Sequence, residues 1–90
     1  ILSYFNGLNA QLSLMTYTEV DYFSAAQIYF KAAEKGDASA QFNLALIMID
    51  GLGIEKDYEA AVFWLEKASE LGHPKADDAL QQLYTLMNNT

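Results

Sequence analysis

The sequence repeats itself at a spacing of 36 residues, through the paired identities Asp21/Asp57, Tyr22/Tyr58, Ala25/Ala61, Lys31/Lys67, Ala32/Ala68, Glu34/Glu70, Gly36/Gly72, Ala40/Ala76 and Leu44/Leu80. Ordinary composition would give only about two such matches by chance over a stretch of this length. A period in this range belongs to stacked-repeat architectures, whose units bury their apolar faces against neighbours and present an extended surface. It therefore puts an interaction module first among the expectations and an enzyme second.

Within each period the apolar residues fall at helical steps of three and four. Between Asp21 and Gly36 these are Tyr22, Ala25, Ala26, Ile28, Tyr29, Ala32 and Ala33. Asp21 can cap the start of this helix and Gly36 suits the left-handed residue that ends one. Asp37 is placed to cap a second helix through Ala40, Leu44, Ile47 and Met48 to about Asp50, which Gly51-Leu52-Gly53 then breaks. Asp57 caps a third, with Ala60, Ala61, Trp64, Leu65 and Ala68 along one side and Gly72 at its close. His73-Pro74 opens a fourth, since proline is tolerated in the first helical turn, and Ala76, Ala79, Leu80, Leu83, Tyr84 and Met87 point inward from it. Leu2 to about Thr16 is apolar and reads as one further helix at the front. The expectation is an all-α fold of five helices, joined by loops short enough to demand αα-hairpins.

Ninety residues make one small domain. The net charge of −7 arises from twelve acidic residues against five lysines, with no arginine. Phosphate backbones and anionic bilayers are bound by clustered positive charge, so nucleic acid and membrane are poor partners for this surface. With no cysteine there is neither a disulfide framework nor a thiolate metal site. The longest apolar run, Leu44 to Ile49, is too short to cross a bilayer, and no basic region or cleavage pattern of a signal peptide is visible.

The stretch from Ala40-Gln-Phe-Asn-Leu44-Ala, through Gly51-Leu-Gly53-Ile, to Asp57-Tyr58-x-x-Ala61-x-x-Trp64-x-x-Lys67-Ala68-x-x-x-Gly72 resembles the Sel-1-like repeat. That family is a relative of the tetratricopeptide repeat. The likeness covers about three quarters of the chain. It implies a TPR-like α-solenoid of about two and a half repeats over 1–90: an N-terminal partial or irregular repeat at 1–36, a complete repeat at 37–72, and a C-terminal half repeat at 73–90 that acts as a cap. Ala45, Met48 and Ala60 depart from the family pattern, and the loop from Thr16 to Val20 lacks a Gly-x-Gly turn. The resemblance further implies a scaffold or adaptor for protein–protein interaction with no shared catalytic residues and no cofactor.

The matching positions Ala40, Leu44, Gly51, Gly53, Asp57, Tyr58, Ala61, Trp64, Lys67, Ala68 and Gly72 read as structural. Trp64 reads as a large core aromatic, with a stacking platform for a ligand as the alternative. The face expected to recognise a partner is the one left on the first helix of the complete repeat once Ala40, Leu44, Ala45 and Met48 are packed. It comprises Ser39, Phe42, Leu46, Ile49 and Asp50, with Asn43 at the edge, and these align at helical steps. By the resemblance this is the concave side, and an apolar stripe with an acidic end suits a peptide or a protein segment. Coverage by the N-terminal helix or by a second copy is the competing expectation. On the last helix the equivalent positions, Lys75, Asp78, Gln82, Thr85 and Leu86, are mostly polar and suit a solvated end of the array. The hydrophobic start at Ile1-Leu2 suggests that residues or repeats precede it, or that this end drives self-association.

Catalytic arrangements are thin. His73 is the sole histidine and stands beside Pro74 in a capping context. No spacing joins it to Ser24, Ser39 or Ser69 as a triad would require. Glu55/Asp57/Glu59 and Asp77/Asp78 lack the loop spacing of a calcium motif. Gly51-Leu52-Gly53 follows a helix and precedes no Lys-Ser pair, so it is not a phosphate loop. A small hydrolase or a cell-wall-ligand binder, a function linked to cysteine-rich relatives, is the runner-up from another class, and the absence of cysteine and the single histidine weigh against it.

Overall fold

A computed structural model describes residues 21–89. Among the described residues there are four α-helices: α1 Tyr22–Glu34, α2 Ala38–Asp50, α3 Tyr58–Glu70 and α4 Ala76–Asn88. The first of the five expected helices and the Thr16–Val20 loop lie outside the described residues.

Local chemistry sets most of the helix ends. Asp21, Asp37 and Asp57 each accept a hydrogen bond from the backbone N–H three residues on, at Ser24, Ala40 and Ala60, with distances of 3.0, 3.1 and 3.0 Å. These bonds satisfy donors that a helix start would otherwise leave orphaned. At Asp21 the hydroxyl and the amide of Ser24 both donate to the carboxylate and hold its pKa below the ordinary value. A carboxyl with a depressed folded-state pKa stabilises above its unfolded value, and that contribution disappears as pH falls through the lowered one.

The exits of α1 and α3 are copies of each other. Gly36 N–H donates to the Ala33 carbonyl and Asp37 N–H to that of Ala32, while Gly72 N–H donates to Ser69 and His73 N–H to Ala68. This pair of bonds needs a left-handed residue between helix and loop, which is where both glycines stand. Removal of a cap from the middle of the structure tests the local account. Asp57→Ala is expected to lower stability by about 1 kcal/mol, read as a shift of the urea midpoint at unchanged slope.

α4 starts differently from the expectation. Its regular turns begin at Ala76, after a turn through Pro74 and Lys75. The side chain of Lys75, at the helix boundary, makes no capping hydrogen bond. Asp77 and Asp78 in the first turn put negative charge at the positive end of the helix dipole.

Each helix packs against its neighbours in sequence. The α3–α4 pair runs antiparallel, because Ser69 donates to Asp77 near the connecting turn while Glu66 meets Tyr84 farther from it. The core is threaded by Leu44, Leu65 and Leu83, the largest fully buried side chains. Between them lie Ala45, Ala61, Ala68 and Ala76, all with no exposed surface. Alanine at these points lets helix axes approach closely and leaves the leucines to fill the remaining space.

The repeat-equivalent alanines are not equally buried. Ala61 and Ala68 are sealed, whereas Ala25 and Ala32 are only half-buried and α1 buries Ala26 and Ala33 instead. α3 lies between α2 and α4, while among the described residues α1 packs chiefly on α2. Not every side chain on the expected inward faces is covered. Ile28 is 67% exposed, and Tyr84 is an exposed residue whose hydroxyl lies 3.4 Å from Glu66 Oε2. In both cases the helical period is broader than the face the neighbour covers.

The turn between α2 and α3 packs against the start of α1. Gly51 and Gly53 both have positive φ. Gly53 also lies directly against the start of α1: a β-carbon there would meet Phe23 N at 2.5 Å and the Tyr22 carbonyl carbon at 2.8 Å. The Gly-x-Gly turn is thus both a helix stop and a docking point for the preceding hairpin.

Candidate partner-binding site

α2 divides its faces sharply. Ala40, Gln41, Leu44, Ala45 and Ile47 are buried, and the stripe expected to meet a partner occupies much of what remains. Leu46, at 38% exposed, is the most open apolar residue of that stripe. Phe42 is half-buried, with its ring stacked on His73 at 4.3 Å between centroids and 11° between planes. The His73 ring is itself held, since its Nδ1 accepts from the Lys75 N–H at 3.1 Å. In that bond Nδ1 is the acceptor, so the ring hydrogen resides on Nε2. The sequence showed His73 only as a helix-start residue; its role as a wall behind Phe42 comes from the fold.

Two clefts flank Leu46. One, of about 370 Å³, is lined by Phe42 and Leu46 of α2 with Lys75, Asp78, Ala79 and Gln82 at the facing start of α4. The other, of about 330 Å³, brings Asn43, Leu46 and Asp50 together with Tyr22, Tyr29 and Leu52. Leu46 is therefore the ridge between them. Ser39 is exposed and lines neither cleft, while Ile49 is half-buried and packs against the core. The face is a mixed one: apolar along α2, with Lys75 and Asp78 of opposite sign on one side and the Asp50 carboxylate on the other.

The positions read as scaffold sit where the hairpins meet. Ala40, Leu44, Ala61, Trp64 and Ala68 are buried, and Tyr58 packs its half-buried ring on the core with Lys56 Nζ 5.8 Å from its centroid. Lys67 reaches over Phe63, its Nζ 5.1 Å from that ring. One buried residue escaped the sequence reading. Gln41 is 3% exposed and donates from Nε2 to the Ala33 carbonyl at 3.1 Å, tying the start of α2 to the end of α1. Its position three residues before Leu44 and four before Ala45 was the signal that it faces inward.

Two of the carboxylates considered for a metal site are engaged in local structure. Asp57 caps α3 and Asp77 accepts from the Ser69 hydroxyl. Among the described residues no group of three or more His, Cys, Asp or Glu side chains converges to hold a metal ion. No helix among them is long and apolar enough to cross a membrane.

Capped, glycine-terminated helical hairpins that recur at a fixed period define a repeat protein of the αα class. The Sel1 repeat model matches residues 2–37 and again 38–73, so the chain belongs to the Sel1 repeat family. Among curated proteins it is similar to an exopolysaccharide production negative regulator of Rhizobium leguminosarum bv. viciae, 37% identical over 79 residues, 77% of this chain and 30% of the relative. It is also similar to the ERAD-associated E3 ubiquitin-protein ligase component HRD3A of Arabidopsis thaliana, 34% identical over 59 residues, 64% of this chain and 9% of that protein. The DAP3-binding cell death enhancer 1 of Rattus norvegicus matches at 27% over 67 residues, 74% of this chain and 13% of the relative. The chain thus spans less than a third of the length of the curated relatives it matches. No solved structure gives a significant match.

Proposed function

We propose that this chain is a non-catalytic protein-interaction module that holds a protein or peptide segment along α2, in the cleft that α2 shares with α4. Sel1 repeats are in general protein-interaction modules, and the names of two relatives, a ubiquitin-ligase component and a DAP3-binding protein, describe proteins that work with other proteins. The observation that carries the reading is the Leu46 ridge. A leucine 38% exposed between two clefts, beside the Phe42–His73 stack, offers an apolar anchor point with polar groups at its margins. That combination of a central apolar contact and a polar rim is the usual anatomy of a recognition surface.

Leu46→Asp tests it better than a change at Phe42, because Phe42 also supports His73. The thermal midpoint of the variant is expected to stay close to that of the parent, since the side chain is already partly in water. With a photo-crosslinking residue at Gln82, the full-length protein is expected to capture one dominant polypeptide, and Leu46→Asp to reduce the capture at least tenfold, as loss of a central anchor does. The same probe at Ile28 on α1 serves as the control. A folded Leu46→Asp protein that captures the same polypeptide undiminished would remove the α2–α4 cleft from consideration.

A further inference from the structure

One side chain joins the two walls of the α2–α4 cleft. Phe42 stands on the α2 side and Lys75 on the α4 side. The half-buried His73 touches both: its ring stacks on Phe42 at 4.3 Å between centroids, and its Nδ1 accepts from the Lys75 N–H at 3.1 Å. The backbone beneath the ring is fixed independently. His73 N–H donates to the Ala68 carbonyl at 2.9 Å, and the His73 carbonyl accepts from the Ala76 N–H at 3.3 Å. A change in the ring therefore bears on the two walls and not on the course of the turn.

The two ties respond differently to a proton. Only the neutral imidazole has an acceptor nitrogen, whereas imidazolium donates from both. With a hydrogen on Nδ1 the Lys75 N–H would face a donor, and no rotation of the charged ring restores an acceptor. The tie to Phe42 survives, because a phenyl face attracts a cation. Protonation thus releases the α4 wall and keeps the α2 wall. The charged groups on the elements around the ring are Asp37 at the start of α2, Lys67 and Glu70 at the end of α3, and Lys75, Asp77 and Asp78 at the start of α4. Asp37 accepts from the Ala40 amide, Asp77 accepts from the Ser69 hydroxyl, and Lys67 lies over Phe63. The added charge enters at the positive end of the α4 dipole beside Lys75, while Asp78 on the cleft wall has the opposite sign.

Histidine is the side chain whose charge ordinarily changes between about pH 5 and 8, and His73 is the only one in the sequence. We propose that His73 is a pH-sensitive latch on the partner-binding cleft. Its neutral ring ties the start of α4 to Phe42 and holds the cleft in shape; a proton on Nδ1 frees the Lys75 wall and releases the partner. This rests on the reading of the cleft beside Leu46 as the partner site. The sign follows from the acceptor: the hold strengthens as pH rises through the titration of the ring and weakens as pH falls through it.

The free protein is followed by NMR from about pH 8 to about pH 5, the range over which histidine changes charge. The ring nitrogens are expected to show the hydrogen of the neutral form on Nε2. The Lys75 amide and the Phe42 ring are expected to shift with the same midpoint as His73. Photo-crosslinked capture through Gln82 in the full-length protein is expected to fall about fivefold over that range, the scale of one hydrogen bond. His73→Asn keeps an acceptor for the amide two residues on but takes up no proton, so its capture is expected to be flat with pH. His73→Phe keeps a ring to stack and loses the acceptor, so its capture is expected to stay at the low, acid level throughout. Melting curves of both variants report folding, and the titration of the parent protein needs neither. The latch is overturned by a Lys75 amide that does not titrate with His73, by a hydrogen on Nδ1 of the neutral ring, or by a pH profile of capture that persists in His73→Asn. It is also overturned by capture unchanged with pH in a protein that loses capture through Leu46→Asp, a result that leaves the partner site itself standing.

Discussion

Gly53→Ala is expected to destabilise the protein by roughly 2–4 kcal/mol, several times the effect of the same change at Gly72. Both residues have positive φ, +72° at Gly53 and +88° at Gly72, so each substitution places an L-residue in left-handed backbone. That strain costs about 1–2 kcal/mol, offset in part by the smaller entropy of the unfolded alanine chain. At Gly72 it is the whole effect, because nothing lies within 4 Å of the added carbon. At Gly53 the carbon would also strike the backbone of Tyr22 and Phe23, which cannot turn aside as a flexible side chain could. The start of α1 has to separate from the α2–α3 turn, or the turn has to rebuild. Chemical denaturation of the two variants side by side checks this. Equal losses would mean that the turn and α1 do not touch in solution.

The second large effect is expected at Leu65. Its side chain is wholly buried in the middle of α3, so truncation to alanine removes transfer free energy and leaves a cavity. Together these cost about 2–5 kcal/mol. Small domains have total stabilities of only about 5–15 kcal/mol, so Leu65→Ala is expected to remove a large fraction of the total. Leu71, six residues on and 56% exposed, is the matched control. Leu71→Ala is expected to change stability by no more than about 0.5 kcal/mol. Near-ultraviolet dichroism, dominated by Trp64 and the tyrosines, together with denaturant midpoints, separates the two outcomes. A Leu65→Ala protein as stable as Leu71→Ala would contradict the described core.

Much of the helical framework can be read along the chain because it is made by neighbours in sequence. Asp57 reaches an amide three residues away, and Gly72 closes on Ser69, so the residue type and the spacing already contain the bond. The identical residues at Ala32-x-x-x-Gly36 and Ala68-x-x-x-Gly72 produce the same pair of hydrogen bonds at both helix exits. The Asp-Tyr starts and the Gly-x-Gly break are of the same kind, and together with the Trp64/Lys67-Ala68 segment they point to the Sel1 repeat.

Packing was less open to such reading. Ala25 and Ala61 are identical by sequence and unequal in burial, because burial depends on how many helices lie alongside. Ile28 has the period of a core residue and stands in water. The partner-binding stripe was legible as a line of positions on one helix, yet its members divide among an exposed ridge at Leu46, a stack at Phe42 and a core contact at Ile49. Gln41 was overlooked because a polar residue in a helix is ordinarily assigned to solvent, and only the approach of α1 and α3 encloses it.

The 36-residue period by itself determined the helical character, the caps, the glycine exits and the family, since each rests on contacts within a few residues of the chain. Tertiary structure alone decided that Gly53 bears on α1, that His73 backs Phe42, and that Gln41 is left with an unanswered acceptor beside Trp64. The physical reason is range. Hydrogen bonds along a helix repeat whenever the residues repeat, whereas van der Waals contact and desolvation are set by whichever element arrives from elsewhere in the chain.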